Sequence, residues 1–550
     1  MPQDPADFTS KAQRQIAGMH QEAKEQDIQE KAKRMGYPYV NLLHFSVNPD
    51  LQSFIPQEKA VKAKAAAFFK SGKKVRLAVL NPDLPATKAL ITELKIKGND
   101  VTVIVCSPES LANAHKIYTR EEKEKHGELA ETVLTTEAFT AAEEIEHLGE
   151  LKEKIEHAPF DEALTLIQVG AYSARTSDIH FQPQGKEVLV RFRIDGVLRP
   201  VFDLSNEIYE GLIKQIKYLS HLKLNITNVP QDGQYGFIVN QRKINVRVSL
   251  MPSHYGETVV MRILDTARTF EAFEKLGYEG GALSNVLESM KLPHGMILVT
   301  GPTGSGKTTT MYSMLQSVDT KAKKVITLED PIEYDLTGIT QSQVNHDVDY
   351  NFSTGLRAIL RQDPDIIMVG EIRDLETAET AAQASLTGHL VISTLHTNSA
   401  LESISRLVNM GVKNFILAPA LDLIIAQRLV RRLCECAEEK PMTESEKGQI
   451  EQIVQSATKK GVEMPAIPAT LKHPKGCDKC GQTGYAGQIA IAEVLRFNQE
   501  LRDLILEGKL MSEIHAYINE HLKMLTLQED GVLKVMRGVT TLEEVYRVAA

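Results

Sequence analysis

Residues Gly301-Pro302-Thr303-Gly304-Ser305-Gly306-Lys307-Thr308 fit the pattern GxxxxGK[ST]. That spacing serves phosphate binding. Successive backbone N–H groups must turn inward around an anion, and Gly301, Gly304 and Gly306 remove the side chains that would block the turn. Lys307 brings a positive charge to the β- and γ-phosphates, and Thr308 offers a hydroxyl to Mg²⁺. Thr303, Ser305 and Thr309 complete the candidate cofactor-binding loop. A helix starting near Lys307 aims the positive end of its dipole at the anion. The apolar run GMILVT precedes the loop and TTTMYSML follows it, which is the strand–loop–helix setting the motif needs. No guanine-reading NKxD follows, so ATP is favoured over GTP.

Hydrolysis needs an oriented water and stabilised charge on the γ-phosphate. Three segments downstream carry suitable groups. KVITLEDPIEY ends in Glu329, Asp330 and Glu333. DIIMVGEIRD ends in Glu371, with Gly370 where a Walker B strand usually has Asp. GHLVISTLHTN has His389 before its apolar core and His396 beyond it. Residues just past the C-terminal ends of parallel strands face the ligand crevice. His396 is therefore expected to hydrogen-bond the γ-phosphate. Singly, these segments read equally well as a charged turn or a core histidine; their order after the loop favours one site.

Of five cysteines, Cys434, Cys436, Cys477 and Cys480 cluster late in the chain, and Cys106 stands alone as an expected buried strand thiol. Five are too few for a disulfide framework in a chain this long, so one metal site in a cytosolic protein is the simplest reading. Reduced structural thiols are the competing one.

The elements that must position these groups follow from length and patterning. At 550 residues the chain has room for three or four domains of about 150 residues. Its 42% hydrophobic and 25% charged residues exclude wholesale disorder. The charge balance, 63 basic against 72 acidic residues, is −9 and argues against a nucleic-acid coat protein. No apolar run reaches the roughly 18 residues of a membrane span, and the polar start carries no secretory signal. Residues 1–118 read as a frayed helical arm followed by a small β-α-β domain. Residues 119–157 are highly charged and read as solvated linker helices. Residues 158–265 carry alternating strands, with a hairpin turn at Asp195-Gly196. In 266–550, GMILVT, KVITLED, DIIMVGE and GHLVISTLH are apolar along their length, as strands covered on both faces must be.

GPTGSGKTTT, ITLEDPIEY, LRQDPDIIMVGEIRD and GHLVISTLHTN together resemble the secretion ATPase superfamily, in particular the type IV pilus assembly and type II secretion ATPases. RTSDIHFQP, VRFRIDGVLR, GCDKCGQTGYAGQIAIAE and MLTLQEDGVLKVMRGVTTLEEV extend the likeness over about 160–550. The resemblance implies an α/β multidomain fold: a RecA-like P-loop core, a preceding α+β domain and a small N-terminal α/β domain. It implies a cytoplasmic homohexamer, peripheral at the inner membrane, whose ATP hydrolysis drives pilin or pseudopilin assembly. The partners implied are an inner-membrane platform protein and an adaptor, with no nucleic acid and membrane contact only through partners. By the same likeness Glu333 polarises the attacking water, with Glu329 in reserve. Glu371 acts through Mg²⁺, and His389 and His396 link nucleotide state to domain position. Arg191, with Arg193, supplies charge from the preceding domain; solvated strand charges are the alternative. Family members commonly read QDGR where Gln231-Asp232-Gly233-Gln234 stands, and a second basic residue where Asn206 stands, so the trans-acting charge set is thinner here. The family pairs two CxxC knuckles on Zn²⁺; here Cys434-Glu-Cys436 is one residue short, and Asp478 and His473 are the backup ligands. AKRMGYPYVNL and FIPQEKA resemble the family's N-terminal domain, for which protein interaction is favoured over cyclic di-GMP binding. A retraction motor and a DNA-translocating conjugative ATPase are the alternative functions. The former generally lacks the N-terminal domain and the knuckle, and the latter calls for a basic pore.

Overall fold

The computed structural model describes residues 24–25, 28–42, 51, 54–71, 73–115, 131–133, 151–239, 242–265 and 272–549. The chain divides into two units, Met1–Phe192 with Arg199–Leu264, and Arg193–Leu198 with Asp265–Ala550.

In the first unit, β1 (Ala65–Ser71), β2 (Lys74–Val79) and β3 (Asp100–Val105) form a three-stranded sheet in that order. β2 and β3 run parallel, joined through the helix Pro85–Ile96. Proline at the first helical position and Gly98 at φ +80° after the last turn bracket that helix. Its Leu90 and Leu94 bury against Leu77 and Val79 of β2. Cys106 lies just past β3, 1% exposed, and burial pushes its thiol up to about 12.

The same unit holds a seven-stranded sheet of β4 (Glu131–Val133), β5 (Thr176–Pro183), β6 (Glu187–Ile194), β7 (Val197–Ser205), β8 (Gln231–Val239), β9 (Arg242–Ser253) and β10 (Gly256–Asp265), in the order β4-β8-β9-β10-β5-β6-β7. Alternation carries it: Val188, Val190 and Phe192 of β6 are fully buried. Both turn residues after β6 take positive φ, Asp195 at 48° and Gly196 at 80°, as a two-residue hairpin with right-handed strand twist requires. The segment expected as a linker differs in two places. Glu131–Val133 pairs in parallel with β8. The helix Leu151–His157 buries Leu151 and Ile155, and Gly170 of the helix Phe160–Ser173 sits so close that a Cβ there would approach Leu151 to 3.1 Å. A short apolar i, i+4 pair inside a charge run is enough to fold that segment onto its neighbour. Residues 119–130 and 134–150 of the expected linker, and 1–23 and 26–27 of the arm, lie outside the described residues.

The second unit is built on β11 (Gly295–Thr300), β12 (Val325–Glu329), β13 (Thr340–Gln343), β14 (Ile366–Val369), β15 (Leu390–Leu395), β16 (Leu421–Leu433) and β19 (Tyr485–Arg496), in the order β13-β12-β14-β15-β11-β16-β19. β17 (Glu438–Pro441) and β18 (Thr470–His473) form a separate antiparallel pair. Only β19 runs antiparallel within the large sheet. Successive residues of one strand feed opposite cores: Met296 and Leu298 one, Ile297 and Val299 the other. That is why these strands read as unbroken apolar runs. Strand order reverses at β11, and the crevice beyond its C-terminal end is where such sheets bind ligands.

Candidate active site and metal cluster

The loop after β11 is shaped by what surrounds it. Gly301, Gly304 and Gly306 have φ of 148°, 78° and 85°. A Cβ on Gly301 would meet the Gln427 carbonyl oxygen and Ser305 Oγ, both at 2.6 Å. Lys307 opens the helix Lys307–Gln316 and donates from Nζ to the carbonyls of Gly301 (2.8 Å) and Pro302 (3.0 Å). Burial lowers its pKa, while the nearby Glu371 charge opposes that shift. Thr308 and Thr309 follow in the first turn. Ser305 Oγ is buried with no partner among the described residues.

Two expected groups stand beside this loop. Glu371 follows β14 by two residues and His396 follows β15 directly; His396 Nε2 lies 3.5 Å from Glu371 Oε2. Lys307 and Glu371 both influence the His396 imidazole, so the three groups share one neighbourhood. Arg373, inside the motif read from sequence but not singled out, pairs with Glu371 at 2.6 Å. Neutral His396 can give or take a hydrogen bond, Lys307 can hold an anion, and Glu371 can accept from a metal's water shell.

Other expected residues fall elsewhere. His389 precedes β15, and its carbonyl accepts from Gly295 at the start of β11. Six strand residues, roughly 20 Å, separate it from His396. It therefore sits at the opposite end of the strand, bonded through Nδ1 to the Ala384 carbonyl. Glu329, 4% exposed, accepts from Thr327 (2.6 Å), Gln341 (3.0 Å) and the Tyr312 hydroxyl. Burial raises its pKa, partly offset by those donors. Those contacts make it an anchor between the helix Lys307–Gln316 and β12–β13. Glu333 is half-buried in the loop after β12, and its backbone bonds the Tyr312 hydroxyl. On β6, Arg191 donates to Gln182 of β5, and Phe192 is buried while Arg191 and Arg193 are half-buried, as alternation requires. Asn206 donates to the Gly185 carbonyl at 2.7 Å.

Sequence reading missed β16 altogether. Its Gln427 touches the phosphate loop, and its Arg428 donates to Asn398, two residues after His396, at 3.1 Å. Thr300 at the end of β11 accepts from the Thr397 N–H at 3.0 Å, tying the loop to the histidine segment. No local pattern marks these residues, because their partners are distant in sequence.

The four late cysteines converge. Sγ–Sγ distances are 3.8 Å for Cys434–Cys477, 4.0 Å for Cys436–Cys480 and 3.7 Å for Cys477–Cys480, and all four atoms lie within 4.8 Å of one another. A tetrahedral Zn–S₄ centre with bonds of about 2.3 Å has sulfur–sulfur edges of about 3.8 Å. The donor set therefore fits Zn²⁺, and the one-residue-short Cys434-Glu-Cys436 still delivers two sulfurs. Burial alone would raise the Cys480 thiol, but N–H groups of Cys477 and Gly484 at 3.2 Å bring it down to about 6. The backup ligands are engaged elsewhere: His473 with Glu446, Asp478 with Gln482.

The profile described as "Type II/IV secretion system protein" matches residues 153–547. The chain belongs to the type II/IV secretion system protein family. A second profile, the MshEN domain, matches residues 35–124. Type II secretion system protein E of Dickeya dadantii (strain 3937) is 39% identical over 501 residues, covering 91% of this chain and 98% of the relative. The type IV pilus assembly ATPase PilB of Myxococcus xanthus (strain DK1622) is 37% identical over 521 residues, 94% of this chain and 89% of the relative. The X-ray structure of the Legionella pneumophila ATPase DotB superposes with a TM-score of 0.51 at 22% identity, over 70% of this chain and 94% of that one, a likeness of fold. The family is one of ATPases, and this secretion-family core has the RecA-like strand order and a loop whose glycine cradle, lysine and hydroxyls suit ATP with Mg²⁺.

Proposed function

We propose that this chain is an ATP-hydrolysing motor of type IV pilus assembly or type II secretion. The observation that carries the reading is the meeting of Lys307, Glu371 and His396 at one edge of the β11-β15-β14 sheet. Lys307 and the loop N–H groups hold the β- and γ-phosphates. Thr308 and Glu371 would hold Mg²⁺, which when bound would supply positive charge against the phosphates. Glu333 polarises a water and takes a proton from it as its oxygen attacks the γ-phosphorus; the bond to the bridging oxygen breaks and ADP leaves with that electron pair. His396 donates to the γ-phosphate and senses its loss. Arg191, with Arg193, adds positive charge from the preceding domain, against charge developing in transfer.

The chain works as a homohexamer at the cytoplasmic face of the inner membrane, through a platform protein, with residues 1–118 as the adaptor-binding domain, 158–265 as the arginine-bearing domain and 266–550 as the motor core. Among the described residues no helix is long and apolar enough to cross a membrane. The MshEN match and the four-cysteine cluster support assembly over retraction. Phosphate release by the purified chain tests the enzyme: Lys307→Ala is expected to abolish it, and wild-type turnover in that variant would falsify the site. Deleting the gene and scoring surface pili against secreted protein separates the two systems.

A further inference from the structure

We propose that Gln427 is a positioning residue that fixes the shape of the phosphate loop, and so sets nucleotide affinity without touching nucleotide. β16 runs beside β11, with Ala426 opposite Thr300, so Gln427 lies at the level of the first loop residue. Its side chain is 1% exposed. Nε2 donates to the Ser305 carbonyl at 2.6 Å. Oε1 accepts from the Tyr278 hydroxyl at 2.6 Å and the Thr310 hydroxyl at 2.9 Å. The amide orientation follows from chemistry: only the oxygen can accept from two hydroxyls while the nitrogen serves a carbonyl.

The backbone of the same residue closes the cradle. A Cβ on Gly301 would meet the Gln427 carbonyl at 2.6 Å, and one on Gly306 would meet Nε2 at 3.1 Å. Gln427 therefore packs against the start and end of the loop and bonds its middle. A loop that presents N–H groups inward must turn its carbonyls outward, and a buried carbonyl needs a donor. Gln427 is that donor for Ser305. Tyr278 and Thr310, the latter on the helix that follows the loop, hold the donor still. Burial raises the Tyr278 phenol far above its ordinary range, so it remains a donor.

The inference rests on the loop being the nucleotide site, so Lys307→Ala serves as a separate control. The measurements are ADP–Mg²⁺ binding by calorimetry, and KM and kcat for ATP, on the full chain. Gln427→Glu keeps volume and both hydroxyl contacts but sets an oxygen against the Ser305 carbonyl. Tyr278→Phe is milder, because Thr310 still holds Oε1. We expect about tenfold weaker ADP binding and a matching rise in KM for Gln427→Glu, and about threefold for Tyr278→Phe, with kcat changed less than about twofold. A merely structural role would lower the active fraction and leave KM alone. Unchanged KM and ADP affinity in both variants, or activity lost only in step with folded protein, overturns the proposal. If Lys307→Ala also binds ADP normally, the fault lies with the loop as the site, and both readings fall.

Discussion

His396 Nε2 lies 3.5 Å from Glu371 Oε2, across the ends of two adjacent parallel strands. Neither residue is near the other in sequence; the register of β14 and β15 brings them together. Arg373 holds the second Glu371 oxygen at 2.6 Å, so the carboxylate is oriented from both sides.

Glu371→Gln is therefore expected to bind ATP and fail to hydrolyse it. The amide keeps the shape but loses the charge that would hold Mg²⁺ and its waters. A loss of at least about 100-fold in kcat, with ADP affinity within a few-fold of wild type, is the expected result. Steady-state phosphate release and calorimetry measure both. Full turnover would remove Glu371 from the mechanism.

The histidine makes that site pH-dependent. Burial lowers the His396 pKa, the Lys307 charge adds to this, and Glu371 opposes it. A lowered histidine pKa means that acid favours the unfolded or rearranged state. The stability that the neutral ring gives is thus fully present above its unfolded value of about 6.5 and is lost as pH falls through the lowered folded-state value. Protonation would set an imidazolium beside Lys307 and tie it to Glu371. Hydrolysis should fall on the acid side, and His396→Gln should have lower turnover without that acid limb. An unaltered limb in the variant assigns it to another group.

Much of this site was legible because phosphate loops and strand-end carboxylates are local patterns. Arg373 was in plain view within GEIRD, but a pair two residues apart says nothing of geometry until the strand ends. His389 and His396 flank one apolar strand, and the rule that ligands lie beyond the C-terminal strand ends separates them in favour of His396. β16 was invisible for another reason. LDLIIAQRLVRRL has apolar residues at both strand and helix spacing, and Gln427 gains meaning only from Ser305, 122 residues away. β13, TQSQ, has no apolar pattern at all, since it lies at the sheet edge. The cysteines were readable as ligand types, but only the folded chain shows that a CxC pair reaches the same centre.

That cluster predicts one zinc per chain. Native mass measurement should show it, and a strong chelator at mildly acidic pH should remove it. Cys480→Ser should abolish retention and lower the melting temperature by several degrees, because a structural metal stabilises the fold that holds it. Absence of metal from protein purified without chelator would return the cluster to reduced thiols.

A second anchor of the same subdomain is Glu544, 2% exposed, which accepts from Arg431 at 2.6 Å, Arg547 at 2.7 Å and the Arg431 N–H at 2.9 Å. Burial pushes its pKa up, yet these donors outweigh that and hold it at about 2. A depressed carboxylate contributes stability above its unfolded pKa, near 4.3, and loses it as pH falls toward 2. Arg431 also stacks over Tyr485 at 3.9 Å, so removing the acid strands a guanidinium that is already packed in place. Glu544→Gln should cost about 3 kcal/mol at neutral pH, read by urea unfolding. It should also flatten the acid side of the stability curve, since the group that titrates between about 4.5 and 2 is gone. If wild type and variant lose stability in parallel over that range, the acid sensitivity of this subdomain belongs to other carboxylates.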